Sequence, residues 1–455
     1  MSLAINPADA LVDHALGLRW DEVPGSAQGS ALTFLHDTLC VGIAGANAPY
    51  ASALRSAVRQ WGERDRCSVL GCPDLALPAP SAAFVNAFQI HAQEFDCVHE
   101  AAVLHPLATV VAALMAETER SGPYDGRTFL AALIAGVDVA AGLGIAVTTP
   151  VRFFRPATAG IFGSVAALAR LKNLPRETAL DALGYALAFA SGTMQAHIEG
   201  KPTLPVQVGN AARGAIAALD MAEAGLPGPR HGIDGPFGYL PLFEAGFDLA
   251  PLLDNLGQVF RISEVSWKPF PTGRAAHGAL VALRSFMQTS NLSADSLESF
   301  TYHAPPLIKR LVGRPALPAM TASYARLCLP WLAAVMLRKG SIGLADFTPE
   351  SLADPALRIL ADRIKIVDNG NPNPSSFIPA VAVARCSDGR ELRRDVTTQF
   401  GAPDWPLSVT DHMAKALHCL EFGGMGRIHA GLADLMDRFD RLDDVTPVFR
   451  LTAGH

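Results

Sequence analysis

The residues best equipped for chemistry crowd into one short run, His91-Ala-Gln-Glu94-Phe-Asp96-Cys97-Val-His99-Glu100, closed by His105-Pro106. Histidine titrates near neutrality, and a neighbouring carboxylate can orient it or exchange protons with it, so the set suits general acid–base catalysis. The chain is 50% hydrophobic and only 18% charged, which makes such a density unusual. If residues 84–95 are helical, Phe84, Ala87, Phe88, His91 and Phe95 share one stripe; His91 then faces the core while Glu94 and Asp96 point elsewhere. The plainer alternative is a set of satisfied buried histidines beside a solvated acidic turn. A metal set of His91, Asp96, His99 and His105 has none of the spacings of metalloprotease or zinc-ribbon sites, and no metal is expected. Cys97 near His99 would serve as nucleophile and base only if two chain neighbours faced each other.

A second pattern recurs along the chain. A basic residue directly precedes a proline that opens a helical stretch at His105-Pro106, Arg155-Pro156 and Lys268-Pro-Phe-Pro271, and more loosely at Lys201-Pro202. Proline is favoured in the first helical turn, and the same helix end presents free N–H groups and a positive dipole that attract anions. A cation beside such an end makes a carboxylate clamp. Against this, X-Pro at helix starts is common, and a lysine or arginine there can simply be solvated. No glycine run follows a strand as a dinucleotide fingerprint or forms a phosphate loop, so no nucleotide cofactor is expected.

The elements that would position these residues are mostly helices. Apolar residues recur at three- and four-residue steps near 29–46, 50–63, 81–95, 107–120, 127–146, 159–171, 177–193 and 206–224. Strand alternation begins only near residue 295, at 298–303, 363–367, 380–384 and 391–397, with Asp388-Gly389 as a hairpin turn between the last two. Helices at 272–288 and 318–338 lie among them. The expected layout is a large all-helical domain of discontinuous sequence, residues 1–264 and 400–455, with a smaller α+β lid domain at 265–399. A chain of 455 residues with this composition builds a substantial core, and its net charge of −6 argues against a nucleic-acid surface. Seven scattered cysteines suit a reducing compartment, and the start of the chain lacks the basic region of a signal peptide, so a cytoplasmic location is expected. The stretch Phe129 to Val147, broken by Asp138, reads as a buried helix rather than a membrane span.

Taken together, the run His91 to Pro106, the helix opening at Pro156, Gly209-Asn-Ala-Ala-Arg213, Lys268-Pro-Phe-Pro271, Tyr324-Ala-Arg-Leu-Cys-Leu-Pro-Trp331 and the stretch 344–350 resemble the MmgE/PrpD family, in the same order over residues 5 to 420. That family includes 2-methylcitrate dehydratase, cis-aconitate decarboxylase and iminodisuccinate epimerase. The resemblance implies a helical domain with an α+β lid, an active site between them, a homodimer and no required cofactor. It matches His91, Phe95, Asp96, His99, His105, Pro106 and Lys268, and departs from the family pattern at Glu94, Cys97, Val98 and Arg155, where relatives carry Asp, Asp, Thr and His. Leu204 and Gln207 stand where relatives have Lys and His, with Lys201 three residues before Leu204, and Trp331 replaces a Tyr. The implied activity is a dehydratase-type lyase on a small di- or tricarboxylate, with an epimerase, a decarboxylase or a silent carboxylate-binding protein as alternatives. In that reading His105, Lys268, Asp96, His99 and Glu94 are catalytic, and His91, Arg155, Lys201, Gln207, Arg274 and Trp331 bind substrate.

Overall fold

Small residues at helix crossings set how tightly the first half of the chain packs. In the computed structural model, which describes residues 6–62 and 65–455, this half is a stack of helices: α1 (Pro7–Gly17), α2 (Gly25–Gly45), α3 (Ala51–Arg59), α4 (Ala79–Ala92), α5 (Pro106–Ser121), α6 (Gly126–Ile145), α7 (Arg155–Thr158), α8 (Gly160–Leu171), α9 (Arg176–Phe189), α10 (Gln195–Glu199) and α11 (Thr203–Glu223). Helix α6 starts where the Asp125 side chain accepts the Thr128 N–H. It crosses α8 so closely that a Cβ on Gly136 would meet the carbonyl oxygen of Gly163 at 2.8 Å. Although α6 is long and apolar enough to cross a membrane, 89% of its most apolar window is buried among the other helices.

Among the described residues the buried apolar side chains form two large clusters and a small third one of Ala48, Ala51 and Phe88. The first gathers α1, α2, α4–α6, α8, α9 and α11, and the chain returns to it at the end through Ala416, Cys419, Leu420, Val448 and Phe449. The second joins Phe286, Phe300, Tyr302, Trp331, Met336 and Ala382. Its sheet has the order β6-β5-β7-β8, where β5 is Leu297–Ala304, β6 Ile364–Asp368, β7 Ala380–Cys386 and β8 Glu391–Val396. Strand β6 runs parallel to β5 with Phe300 opposite Ile364, whereas β7 and β8 are antiparallel neighbours. Gly389, at φ +86°, makes the turn between β7 and β8. The protein is therefore predominantly helical with a smaller mixed α/β part.

Three expectations need correction. Two-residue strands occur before residue 295: β1 (Cys67–Ser68) pairs with β2 (Ala76–Leu77), and β3 (Val98–His99) with β4 (Val265–Ser266). They are too short for alternation to register in the sequence. No helix spans 318–338; a single turn at Ala322–Ala325 is followed by a helix only from Leu329 to Lys339. Pro330 sits in that helix's first turn, where its missing N–H is harmless, and it could not lie inside a longer one. Lys268-Pro269 opens no helix either, since the next helical residues are a 3₁₀ turn at Arg274–Ala276 and the helix His277–Ser290.

Candidate active site

The β3–β4 pair fixes the site. It places Val98 opposite Ser266 and His99 opposite Val265, drawing the loop 93–105 against the segment that carries Lys268. Helix α4 stops at Ala92, and Glu94 adopts a left-handed φ of +49° that folds the chain back on itself. Glu94 and Asp96 therefore do not point away from His91, as a continued helix would require; all three converge. Asp96 Oδ2 lies 3.0 Å from His91 Nδ1 and 3.1 Å from His105 Nδ1. Lys268 Nζ donates to Glu94 Oε2 at 2.9 Å and stands 3.9 Å from Asp96 Oδ1. Phe154 packs on His91 at 5.6 Å between ring centroids.

Hydrogen-bond geometry settles one tautomer. His105 Nδ1 is 2.9 Å from the carbonyl oxygen of Cys97, which can only accept, so Nδ1 carries the hydrogen. The lone pair of neutral His105 then sits on Nε2, and the ring lines a cavity together with His91 and Glu94. Burial lowers the His105 pKa, and Lys268 adds to this against the opposing charge of Asp96. His91 moves the other way. Burial disfavours its charged form, but Asp96 and Glu94 outweigh that and raise its pKa. Glu94 itself is held down at about 2, because Lys268, His91 and His105 overcome its burial. One ring is thus suited to accept a proton and its neighbour to give one.

The side chains of His91, Asp96 and His105 could offer metal-ligand atoms within 4.8 Å of one another. Both Nδ1 atoms meet the Asp96 carboxylate as hydrogen-bond partners, and with the proton of His105 on Nδ1 its lone pair lies on Nε2. Cys97 is no nucleophile here: burial, with Asp37 and Asp96 adding to it, raises its thiol pKa well above the ordinary value.

The structure brings some of the sequence-predicted residues to this cavity and leaves others elsewhere. His91, Glu94, His105, Arg155 and Arg274 line it, and Asp96 and Lys268 support the two histidines and Glu94. Arg155 is fully buried, with Nε on Glu244 at 3.1 Å and its other donors on the carbonyls of Ala102 and Thr149, so it braces the wall more than it grips. Arg274 is tied to Glu100 at 2.8 Å and to the carbonyls of Trp267, Gln399 and Phe400. His99 turns away to Glu264 at 2.9 Å. Lys201 is exposed. Gln207 reaches Thr193, accepting its N–H at 2.6 Å, and Trp331 is buried in the second core against Phe347. None of these last four lines the cavity.

Residues 9–252 match the MmgE/PrpD N-terminal domain and residues 270–426 the MmgE/PrpD C-terminal domain. The chain belongs to the MmgE/PrpD family. Similar proteins include the cis-aconitate decarboxylase of Mus musculus, 28% identical over 92% of this chain and 87% of its own length. The cis-aconitate decarboxylase of Homo sapiens is 26% identical over 82% of this chain and 79% of its own. A cis-aconitate decarboxylase-like protein of Aspergillus oryzae is 26% identical over 89% and 88%.

Within this MmgE/PrpD chain, sequence reasoning missed Val103, Phe154, Met194 and His197 on the cavity wall, and Arg314 behind His197. Arg314-Pro315 repeats the cation-before-proline pattern, a signal that could have found it. His197 carries no local signal, since its partner is 117 residues away. Val103 holds φ +52°, a costly conformation for a β-branched residue and the kind of strain that gathers at functional sites.

Proposed function

We propose that the protein is a cofactor-independent lyase that moves a proton at the carbon next to a carboxylate of a small di- or tricarboxylate. The observation that carries this reading is the opposite bias of His91 and His105 on one Asp96 oxygen. In a dehydration, His105 Nε2 takes the proton from carbon as the C=C bond forms. Charged His91 protonates the departing hydroxyl, which leaves as water. Glu94, Asp96 and Lys268 keep the two rings in these states, and Lys268 adds positive charge where the carbanionic intermediate develops.

A second reading is decarboxylation, favoured by what the relatives are called and by the apolar wall of Val98, Val103, Val151, Phe153, Phe154 and Phe377. There the C–C bond to the departing carboxylate breaks, CO₂ leaves, and a histidine proton caps the carbon. Association as a homodimer belongs to the same proposal and is checked by light scattering.

The test is proton NMR in deuterium oxide with 2-methylcitrate, citrate, cis-aconitate, tartrate and iminodisuccinate, using His105→Ala as the control. Deuterium uptake or loss of water at one substrate, absent in the variant, supports the dehydratase. Release of CO₂ from cis-aconitate selects the second reading. Exchange without net product points to an epimerase, and binding without exchange to a silent carboxylate-binding protein. No turnover and no binding removes the substrate class.

A further inference from the structure

One wall of the cavity plays no part in that scheme. His197, in the last turn of α10, lines the cavity with His91, Glu94 and His105, and is 6% exposed. Its Nδ1 lies 3.0 Å from Nη2 of Arg314. A guanidinium has donors only, so Nδ1 accepts, and the single hydrogen of the neutral ring must sit on Nε2. Among the described residues no protein group hydrogen-bonds to that Nε2.

Arg314 reaches His197 from the other core. It follows the bridge between Gly313 and Cys328, and its guanidinium lies 4.9 Å from the centre of the Tyr324 ring. The two sides are clamped next to it: Thr321 Oγ1 donates to the carbonyl of Gly200 at 2.8 Å, and Gly200, at φ +63°, leaves no room for a Cβ beside Tyr324. Lys268, Arg155 and Arg274 each have a carboxylate partner. Arg314 has none among the described residues, and its Nη1 is buried without an acceptor. Burial first, then the permanent cation of Arg314 against Nδ1 and the more weakly acting Arg310, oppose protonation of the ring and bring the His197 pKa to about 3, against the pull of Glu94.

We propose that His197 is a fixed, neutral hydrogen-bond donor to the substrate oxygen that gains negative charge during proton transfer at carbon, and that Arg314 is its positioning residue. This rests on the carbon-acid reading above and adds the group that would stabilise its intermediate. As the carbon-bound proton passes to His105, its electron pair delocalises onto the adjacent carboxylate. The Nε2–H of His197 donates to that oxygen and keeps its own hydrogen, so no second proton moves there. A neutral imidazole suits this role because its N–H does not transfer prematurely.

Two measurements on the full chain test this. In ¹⁵N-histidine-labelled protein, two-bond ¹H–¹⁵N correlations from about pH 5 to about pH 8 report each ring's tautomer. His197 is expected to keep its hydrogen on Nε2 throughout, and to titrate nearer the ordinary histidine range in Arg314→Met. A hydrogen on Nδ1, or titration in the wild type, overturns the proposal. In kinetics, His197→Phe is expected to lower kcat by about 100-fold with KM changed by less than about threefold, while His197→Gln, which keeps an N–H, recovers about a tenth of the wild-type rate. Unchanged turnover, or an effect on KM alone, overturns the donor role while leaving the carbon-acid reading intact. If no carboxylate is turned over by the wild type, the carbon-acid reading fails and the donor role falls with it.

Discussion

His91 and His105 stand edge to face, ring centroids 4.8 Å apart, and both reach the same carboxylate oxygen of Asp96. One anion thus supports two imidazoles, and the groups around them decide which is charged. Lys268 weighs against charge on both, Glu94 favours it on His91, and the balance leaves His91 raised and His105 lowered. The pair titrates as a unit, so its apparent values belong to the pair.

A pH profile follows from these directions. The competent form has His105 neutral and His91 charged. Activity is lost at low pH when His105 takes a proton, below the ordinary histidine range, and at high pH when His91 gives one up, above it. Asp96 raises both rings, so Asp96→Asn should move both limbs of log kcat/KM against pH to lower pH and cut the maximum by about 100-fold. A profile with unmoved limbs would mean that other groups titrate.

Lys268 and Glu94 form a buried pair, so removing only the cation strands the anion. Lys268→Met should cost about 3 kcal/mol in chemical denaturation and abolish turnover. Lys268→Met/Glu94→Gln should restore much of the stability and none of the turnover. Glu94 has a lowered folded pKa, so its stabilising contribution is present above the unfolded value near 4.5 and is lost as pH falls toward about 2. Acid denaturation of the wild type and of Glu94→Gln should therefore differ in that window.

Arg155 and Glu244 are both fully buried in their side chains and joined at 3.1 Å. Arg155→Met should destabilise by about 3–5 kcal/mol, and Arg155→Met/Glu244→Met should recover most of that. Any drop in turnover is then expected to follow the loosened Ala102–Val103 wall. A larger effect on KM than on stability would instead indicate direct contact with substrate.

Lys201 and His99 provide the contrasting case. Lys201→Ala should leave kcat/KM within about twofold of wild type, because the side chain lies in solvent and outside the cavity. His99→Gln should lower the thermal midpoint through its lost contact with Glu264 while kcat changes little. Loss of turnover with unchanged stability in either variant would show that the cavity extends further than its described walls.

Much of this protein was legible in its sequence because the determining interactions are local. The 3.6-residue apolar period alone marks α2, α4–α6, α8, α9 and α11, and alternation with Asp388-Gly389 marks β5 to β8. The run from His91 to His105 announces acid–base chemistry by residue type, as do Lys268 and Arg155 by their place before proline. Only the tertiary structure could decide which of these groups meet. The left-handed turn at Glu94 reverses the direction that a continued helix would give its side chain, and the two-residue pairing of Val98 with Ser266 carries no alternation to read. Whether a cation is free or already paired depends on partners far along the chain: Glu244 for Arg155, Glu100 for Arg274, His197 for Arg314. Protonation preference is set by burial and by charges brought close in space, so sequence supplies the titratable groups while packing assigns the acid and the base.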